Sequence, residues 1–218
     1  MKNFPCCLFK IAFLTLILAA CVAVPQCKPL SPQSGTTCPD IFPDKAFRAI
    51  HKIEMNNALF GKSIFIGAAK VEPQRDALHA VLMSVEGMVL FEAKVEGGDL
   101  LVISAFPPLN DPDFTRELMA DVLFLLLKPA AAPAETGADE QGLTACRWPT
   151  EAGGVLEQTL MREGAIRMRR YDKQRRTIKE AVALPPFDRG MPTQIRMRSF
   201  IPVNYTIELT LINMEFVD

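Results

Sequence analysis

The chain has 218 residues, a formal net charge of −1, 49% hydrophobic residues and 22% charged ones. That balance suits one ordinary folded domain and excludes a disordered chain or one built of many membrane spans. Near-neutrality gives no bulk attraction to nucleic acid, but the charge is uneven: residues 147–200 hold twelve Lys/Arg against six Asp/Glu. Such asymmetry bears on surfaces and partners rather than on fold.

At the start, Lys2 and Lys10 precede a largely apolar run, Ile11 to Ala20. It is about half the ~20 residues a spanning helix needs. A charged start, a short apolar middle and small residues before a cut mark an export signal. Leu18-Ala19-Ala20-Cys21 resembles the lipobox of bacterial lipoproteins. The resemblance implies cleavage between Ala20 and Cys21, lipidation of Cys21, and attachment to a membrane by those acyl chains. Val22 follows Cys21 where an Asp retains many such proteins at the inner membrane. The resemblance therefore implies an outer-membrane address in the bacterial envelope, facing the periplasm.

Residues 21–43, with five prolines between Val22 and Pro43, read as an extended tether, and a folded domain is expected over 44–218. Cys27 and Cys38 lie in the tether and Cys146 far downstream. In an oxidising compartment Cys27–Cys38 is a candidate disulfide closing a small loop; Cys146 can instead pair with either or stay free.

Alternation places Phe47, Ala49, His51, Ile53 and Met55 on one strand face and Arg48, Lys52 and Glu54 on the other. A helix after Pro43-Asp44 competes, and the strand is favoured. Strand-like runs follow at Ser63–Val71, Ala77–Val85, Met88–Val95 and Leu100–Ala105, punctuated by Pro73, Gly87 and Gly97-Gly98. They predict an antiparallel meander. The period then changes. Asn110-Asp111-Pro112 offers a helix cap with Pro at the first turn, and Phe114, Leu118, Val122, Leu125 and Leu126 form an apolar stripe in a helix over 113–128. Pro129 to Gly142 reads as a mobile loop. Beyond it, Val155–Arg162, Ala165–Tyr171, Thr177–Ala183, Gln194–Ile201 and Tyr205–Val217 predict strands, with Leu184 to Pro192 another loop. The expectation is an α+β domain: a curled antiparallel sheet of about nine to eleven strands, an incomplete barrel, with one main helix packed on it or lidding it.

This layout resembles the Lol family of bacterial lipoprotein carriers and receptors. The resemblance rests on Gly67–Phe91 with its Met83-Ser84-Val85-Glu86-Gly87 turn, on Asp99–Pro107, on the single apolar helix and on the second meander. It implies a hydrophobic cavity for lipid or lipoprotein acyl chains, lidded by Phe114, Leu118, Val122, Leu125 and Leu126; otherwise the helix simply faces the core. It also implies an exposed apolar loop residue for lipid transfer, for which Phe187 after Pro185-Pro186 is the candidate.

Residue patterns that would carry catalysis are scarce along the chain. Its two histidines, His51 and His79, have no metal-ligand spacing, and His51 reads as a half-buried strand residue. There is no G-x-S-x-G, and Gly61-Lys62-Ser63 lacks the first glycine of a phosphate loop, because position 56 is Asn. The reading is a non-catalytic protein without cofactor or metal, with an exported hydrolase as the lesser alternative. Arg167, Arg169, Arg170, Arg196 and Arg198 form a candidate basic face. It is either a solvated surface paired with glutamates or a docking surface for anionic head groups or an acidic protein partner, each juxtamembrane cation contributing about 1 kcal/mol.

Overall fold

A computed structural model describes residues 27–32, 37–39, 41–57, 61–127, 129, 131–201 and 203–217; the lipobox and Cys21 lie outside them. The sequence's strand runs become β1 (Phe47–Asn57), β2 (Gly61–Glu72), β3 (Ala77–Met83), β4 (Val89–Glu96) and β5 (Asp99–Ala105). After helix α1 (Pro112–Leu126) come β6 (Glu135–Ala138), β7 (Thr144–Pro149), β8 (Val155–Leu160), β9 (Ile166–Tyr171), β10 (Thr177–Asp188), β11 (Met191–Ser199) and β12 (Tyr205–Phe216). All twelve join one curled, unclosed sheet in the order β5-β4-β3-β2-β1-β12-β11-β10-β9-β8-β7-β6. The chain thus starts mid-sheet, meanders to one edge, crosses to the other and meanders back until β12 pairs with β1. Because α1 carries that crossover, it must lie across a face of the sheet.

Cross-strand register defines that face. Phe47, Val71, Leu78 and Val95 form one row, and Ala49, Ala69, Ala80 and Ala93 the next. Side chains in such rows point the same way. The second row is all alanine, a trough of small residues into which α1 settles. Met119, Phe124, Leu125 and Leu126 of α1 are buried in the same core. At the helix start Asp111 accepts hydrogen bonds from the backbone N–H groups of Asp113 (3.1 Å) and Phe114 (3.0 Å), ahead of Pro112 at the first turn. Removing that cap costs ~1 kcal/mol in typical helices.

Four expectations are corrected. The stretch from Pro129 to Gly142 contains a strand, β6, which pairs with β7 and bridges to Ser31. Its Glu-Thr-Gly-Ala sequence has little strand propensity of its own, and main-chain pairing on both sides holds it. Gly137 is required there, since a Cβ would lie 2.4 Å from the Ser31 carbonyl oxygen. Second, Leu184 to Asp188 continues β10 through Pro185-Pro186, where the β10–β11 register shifts because proline has no N–H for the ladder. Phe187 is therefore half-buried against the core rather than displayed on a loop.

Third, the described part of the tether lies on the domain: Leu30, Ile41 and Phe42 are buried, and Cys27 donates its N–H to the Arg175 carbonyl at 2.9 Å. Fourth, this docking separates Cys27 from Cys38. Cys38 instead pairs with Cys146 of β7, with a Cα–Cα distance of 5.8 Å, and Cys27 is free.

Candidate functional site: an apolar pocket beneath α1

Between α1 and the inner sheet face lies a pocket of about 140 Å³. Phe114, Leu118, Val122, Leu125 and Leu126 all line it, opposite Ile53, Phe65, Gly67, Leu82, Phe91 and Leu209. The spacing that made these helix residues one stripe also aims them at the trough. Gly67 adds depth at its base, where a Cβ would meet the tip of Ile53 at 2.6 Å. Phe114 is both pocket wall and 45% exposed, so the pocket opens beside the first turn of α1. Phe106, whose carbonyl accepts from the N–H of pocket-lining Leu109, is exposed close by. A cavity of about 150 Å³ takes one benzene ring, so this conformation holds a ring-sized fragment rather than a whole acyl chain.

Two polar side chains line the pocket, Asp121 and His51. Asp121 is fully engaged. Lys179, buried on β10, donates to it and to Glu117 at 3.1 Å, while the Tyr205 hydroxyl of β12 donates to its other oxygen. Burial pushes the Asp121 carboxyl above its ordinary value, and Lys179 and Tyr205 pull it only part of the way back. Burial beside Asp121 likewise raises the Tyr205 hydroxyl. The cluster pins α1 to strands β10 and β12 at one polar point in an otherwise apolar contact. Its chemistry was not evident in the sequence, where Lys179 is one of the twelve cations of residues 147–200.

His51 differs from its expected half-buried state. It is 3% exposed, and its Nε2 has no hydrogen-bond partner. Burial lowers its pKa to about 4, leaving the ring neutral at pH 7. It sits opposite Gly67 on β2 and Leu211 on β12, beside a bulge that shifts the β1–β12 register between Ile50 and His51. Alternation had placed the residue on the inner face; nothing local signalled a cavity there.

The five arginines of the basic face are not one surface. Arg167, Arg169, Arg196 and Arg198 share the outer face with Glu180 and Val182, but Arg170 pairs in register with Lys179 and Leu156 and so belongs to the inner one. The outer four are largely neutralised or occupied. Arg167 meets Asp139 at 2.9 Å, Arg169 meets Glu180 at 2.5 Å, Arg196 meets Glu208 at 3.8 Å, and Arg198 stacks over Phe200 at 4.9 Å. Deeper in, buried Arg147 binds Glu157 at 2.7 Å and the Lys28 carbonyl at 2.6 Å, and the Tyr171 hydroxyl donates to Glu157 at 2.9 Å. A groove of about 440 Å³ on this side is lined by Glu54, Lys62, Glu180, Arg196, Arg198 and Glu208, a mixed rather than cationic surface. Lys52 and Lys62 hold the Glu54 carboxyl down at about 2.

Among the described residues, no group of three or more His, Cys, Asp or Glu side chains is arranged to hold a metal, and no helix is long and apolar enough to cross a membrane. His79 pairs with Glu92 at 2.8 Å on neighbouring strands.

No family model matches the chain, and no curated protein does. Solved structures do. A LolA superfamily protein from Nitrosomonas europaea is 12% identical with a TM-score of 0.47, over 82% of this chain and 89% of that one. A candidate outer membrane lipoprotein-sorting protein domain from Vibrio parahaemolyticus is 9% identical with a TM-score of 0.39, over 80% and 86%. A DUF1329 family protein from Desulfovibrio piger is 11% identical with a TM-score of 0.37, over 81% and 87%.

Proposed function

We propose that this chain is a lipid-anchored protein of the bacterial envelope that binds an acyl chain between α1 and the sheet and performs no catalysis. The observation that carries the reading is the pocket wall: five helix residues in one stripe face a sheet trough, and aside from His51 and the engaged Asp121 every lining side chain is apolar. Such a wall offers non-directional contact, which suits methylenes and gives polar ligands nothing to orient them. Each methylene buried contributes about 0.8 kcal/mol. Since the pocket now takes only a ring-sized fragment, loading a longer chain requires α1 to tilt about its polar attachment at Asp121.

The anchor in this reading is Cys21, lipidated after cleavage at Ala20, and the residue that follows, Val22, suits the outer membrane facing the periplasm. Cys27 is docked beside Arg175, so only five residues separate lipidated Cys21 from the domain. The six Cα-to-Cα steps from Cys21 to Cys27 span at most about 20 Å whatever their conformation. The domain would therefore ride close to the membrane instead of on a long leash.

Mass spectrometry of organic extracts from the full chain, purified without added lipid, tests the reading. An acyl-bearing compound is expected in stoichiometric amount, and Leu118→Trp or Val122→Trp, which fill the pocket, should abolish it while the strand signal in circular dichroism persists. Extracts without acyl compounds, together with no binding of a fluorescent acyl ester, would sink it.

A further inference from the structure

Of the polar side chains lining the pocket, Asp121 is consumed by Lys179 and Tyr205, and His51 Nε2 is left without a partner. The ring is buried, and it is held at a register shift opposite a glycine, so that its environment is a fixed part of the sheet rather than a surface rotamer. An unmade hydrogen bond in apolar surroundings is costly and is uncommon in native interiors. A water is a poor remedy here, because a buried water needs two to four polar partners and His51 is the pocket's one unengaged polar side chain.

Resting on the acyl-binding reading above, we infer that the ligand is a neutral acyl ester whose carbonyl oxygen accepts a hydrogen bond from His51 Nε2. A neutral imidazole can carry its proton at Nε2, and no protein partner at that nitrogen opposes this tautomer. The ester is favoured over a fatty-acid anion for two reasons. Lys179, the cation in contact with pocket-lining Asp121, is engaged by Asp121 and Glu117, and Asp121 itself would repel a second carboxylate in the same pocket. A plain hydrocarbon would fill the space but leave Nε2 unmade. His51 thus reads the one polar position along an otherwise apolar ligand and sets how deeply the chain enters.

The test compares methyl octanoate, nonane and octanoate anion as ligands of the full chain by isothermal titration, in the native protein and in His51→Phe, which keeps a ring and removes the nitrogen. The ester-to-alkane affinity ratio should fall about tenfold in the variant, the value of one neutral hydrogen bond, and octanoate should bind the native protein at least about tenfold more weakly than its ester. The native protein supplies a readout independent of the variant's folding. With His51 and His79 its two histidines, the imidazole ¹⁵N signal of His51 Nε2 should move with methyl octanoate and stay still with nonane. An unchanged affinity ratio and a still ¹⁵N signal, with both ligands binding, would overturn the role of His51 and leave the acyl pocket standing. Failure of both ligands to bind the native protein would overturn the pocket reading and this inference with it.

Discussion

The two halves of the sheet hold themselves together by different means. In β1–β5 the inner rows are Phe47–Val71–Leu78–Val95 and an alanine trough, and the sheet ends at β5, where Leu101 is 62% exposed and Ile103 45%. In β6–β10 the inner face still gives Ile166, Met168, Ala181 and Ala183 to the apolar core, but charged side chains are buried as well. Arg147, Glu157, Arg167 and Lys179 are buried with partners, the last strand is bridged by Ser31, and Cys38–Cys146 staples the N-terminal segment down. Apolar contacts are tolerant of sliding, whereas hydrogen-bonded charges and a disulfide permit one arrangement. From that contrast we expect movement on the β1–β5 side of α1 and rigidity on the other, with the Asp121 cluster as the hinge between them.

The strongest challenge to that contrast is Lys179→Met. It strands Asp121 in a buried site, and breaking one partner of such a pair costs about 4 kcal/mol. Urea unfolding should register that loss, and adding Asp121→Leu should restore most of it. Recovery in the double variant would identify unpaired charge, rather than lost packing, as the cause. If Lys179→Met unfolds at the native midpoint, the hinge assignment is wrong.

Cys38→Ser with Cys146→Ser comes next. The bond spans 108 residues of sequence, and loss of a native disulfide commonly costs between about 2 and 5 kcal/mol. Amide hydrogen exchange should show the loss concentrated in β6–β8 and residues 27–32, with β1–β4 protected as before. Equal loosening of both halves would erase the distinction between them.

The smallest expected effect belongs to the apolar half. His51 has a pKa of about 4 in the folded chain against 6.5 for the ordinary side chain, so the unfolded chain binds the proton more readily between those values. Stability from this residue is complete above about pH 6.5 and falls as pH drops toward 4, by no more than about 3 kcal/mol. The raised Asp121 carboxyl works in the opposite sense, its contribution falling as pH rises, so the native protein alone cannot isolate His51. His51→Phe does: its stability should lose that fall between pH 6.5 and 4, measured by urea titration at each pH.

Much of this architecture was legible in local pattern. Alternation at Phe47–Met55 marked β1 against a competing helix, and Gly87 and Gly97-Gly98 marked hairpin turns that have the positive φ expected of them. Asp111-Pro112 marked the helix start to within one residue of the expected 113. The stripe Phe114, Leu118, Val122, Leu125 and Leu126 is the pocket wall as well as the helix's apolar face. All of these depend on neighbours two to four residues apart, where backbone periodicity alone decides which side chains share a face.

What stayed hidden depends on residues far apart in the chain. Cys38 and Cys27 were near in sequence, yet the docking of residues 27–32 on the sheet sends Cys38 to Cys146. Arg170 looked like its neighbours until the β9–β10 register turned it inward, and Glu135–Ala138 became a strand only because β7 and Ser31 flank it. The same holds for chemistry. Lys179 gains its partners from a helix 58 residues earlier, and His51 becomes an unpartnered polar atom only where α1 leaves a gap over Gly67. Periodicity is written along the chain, but pairing register, burial and the space between packed elements arise only when distant segments meet.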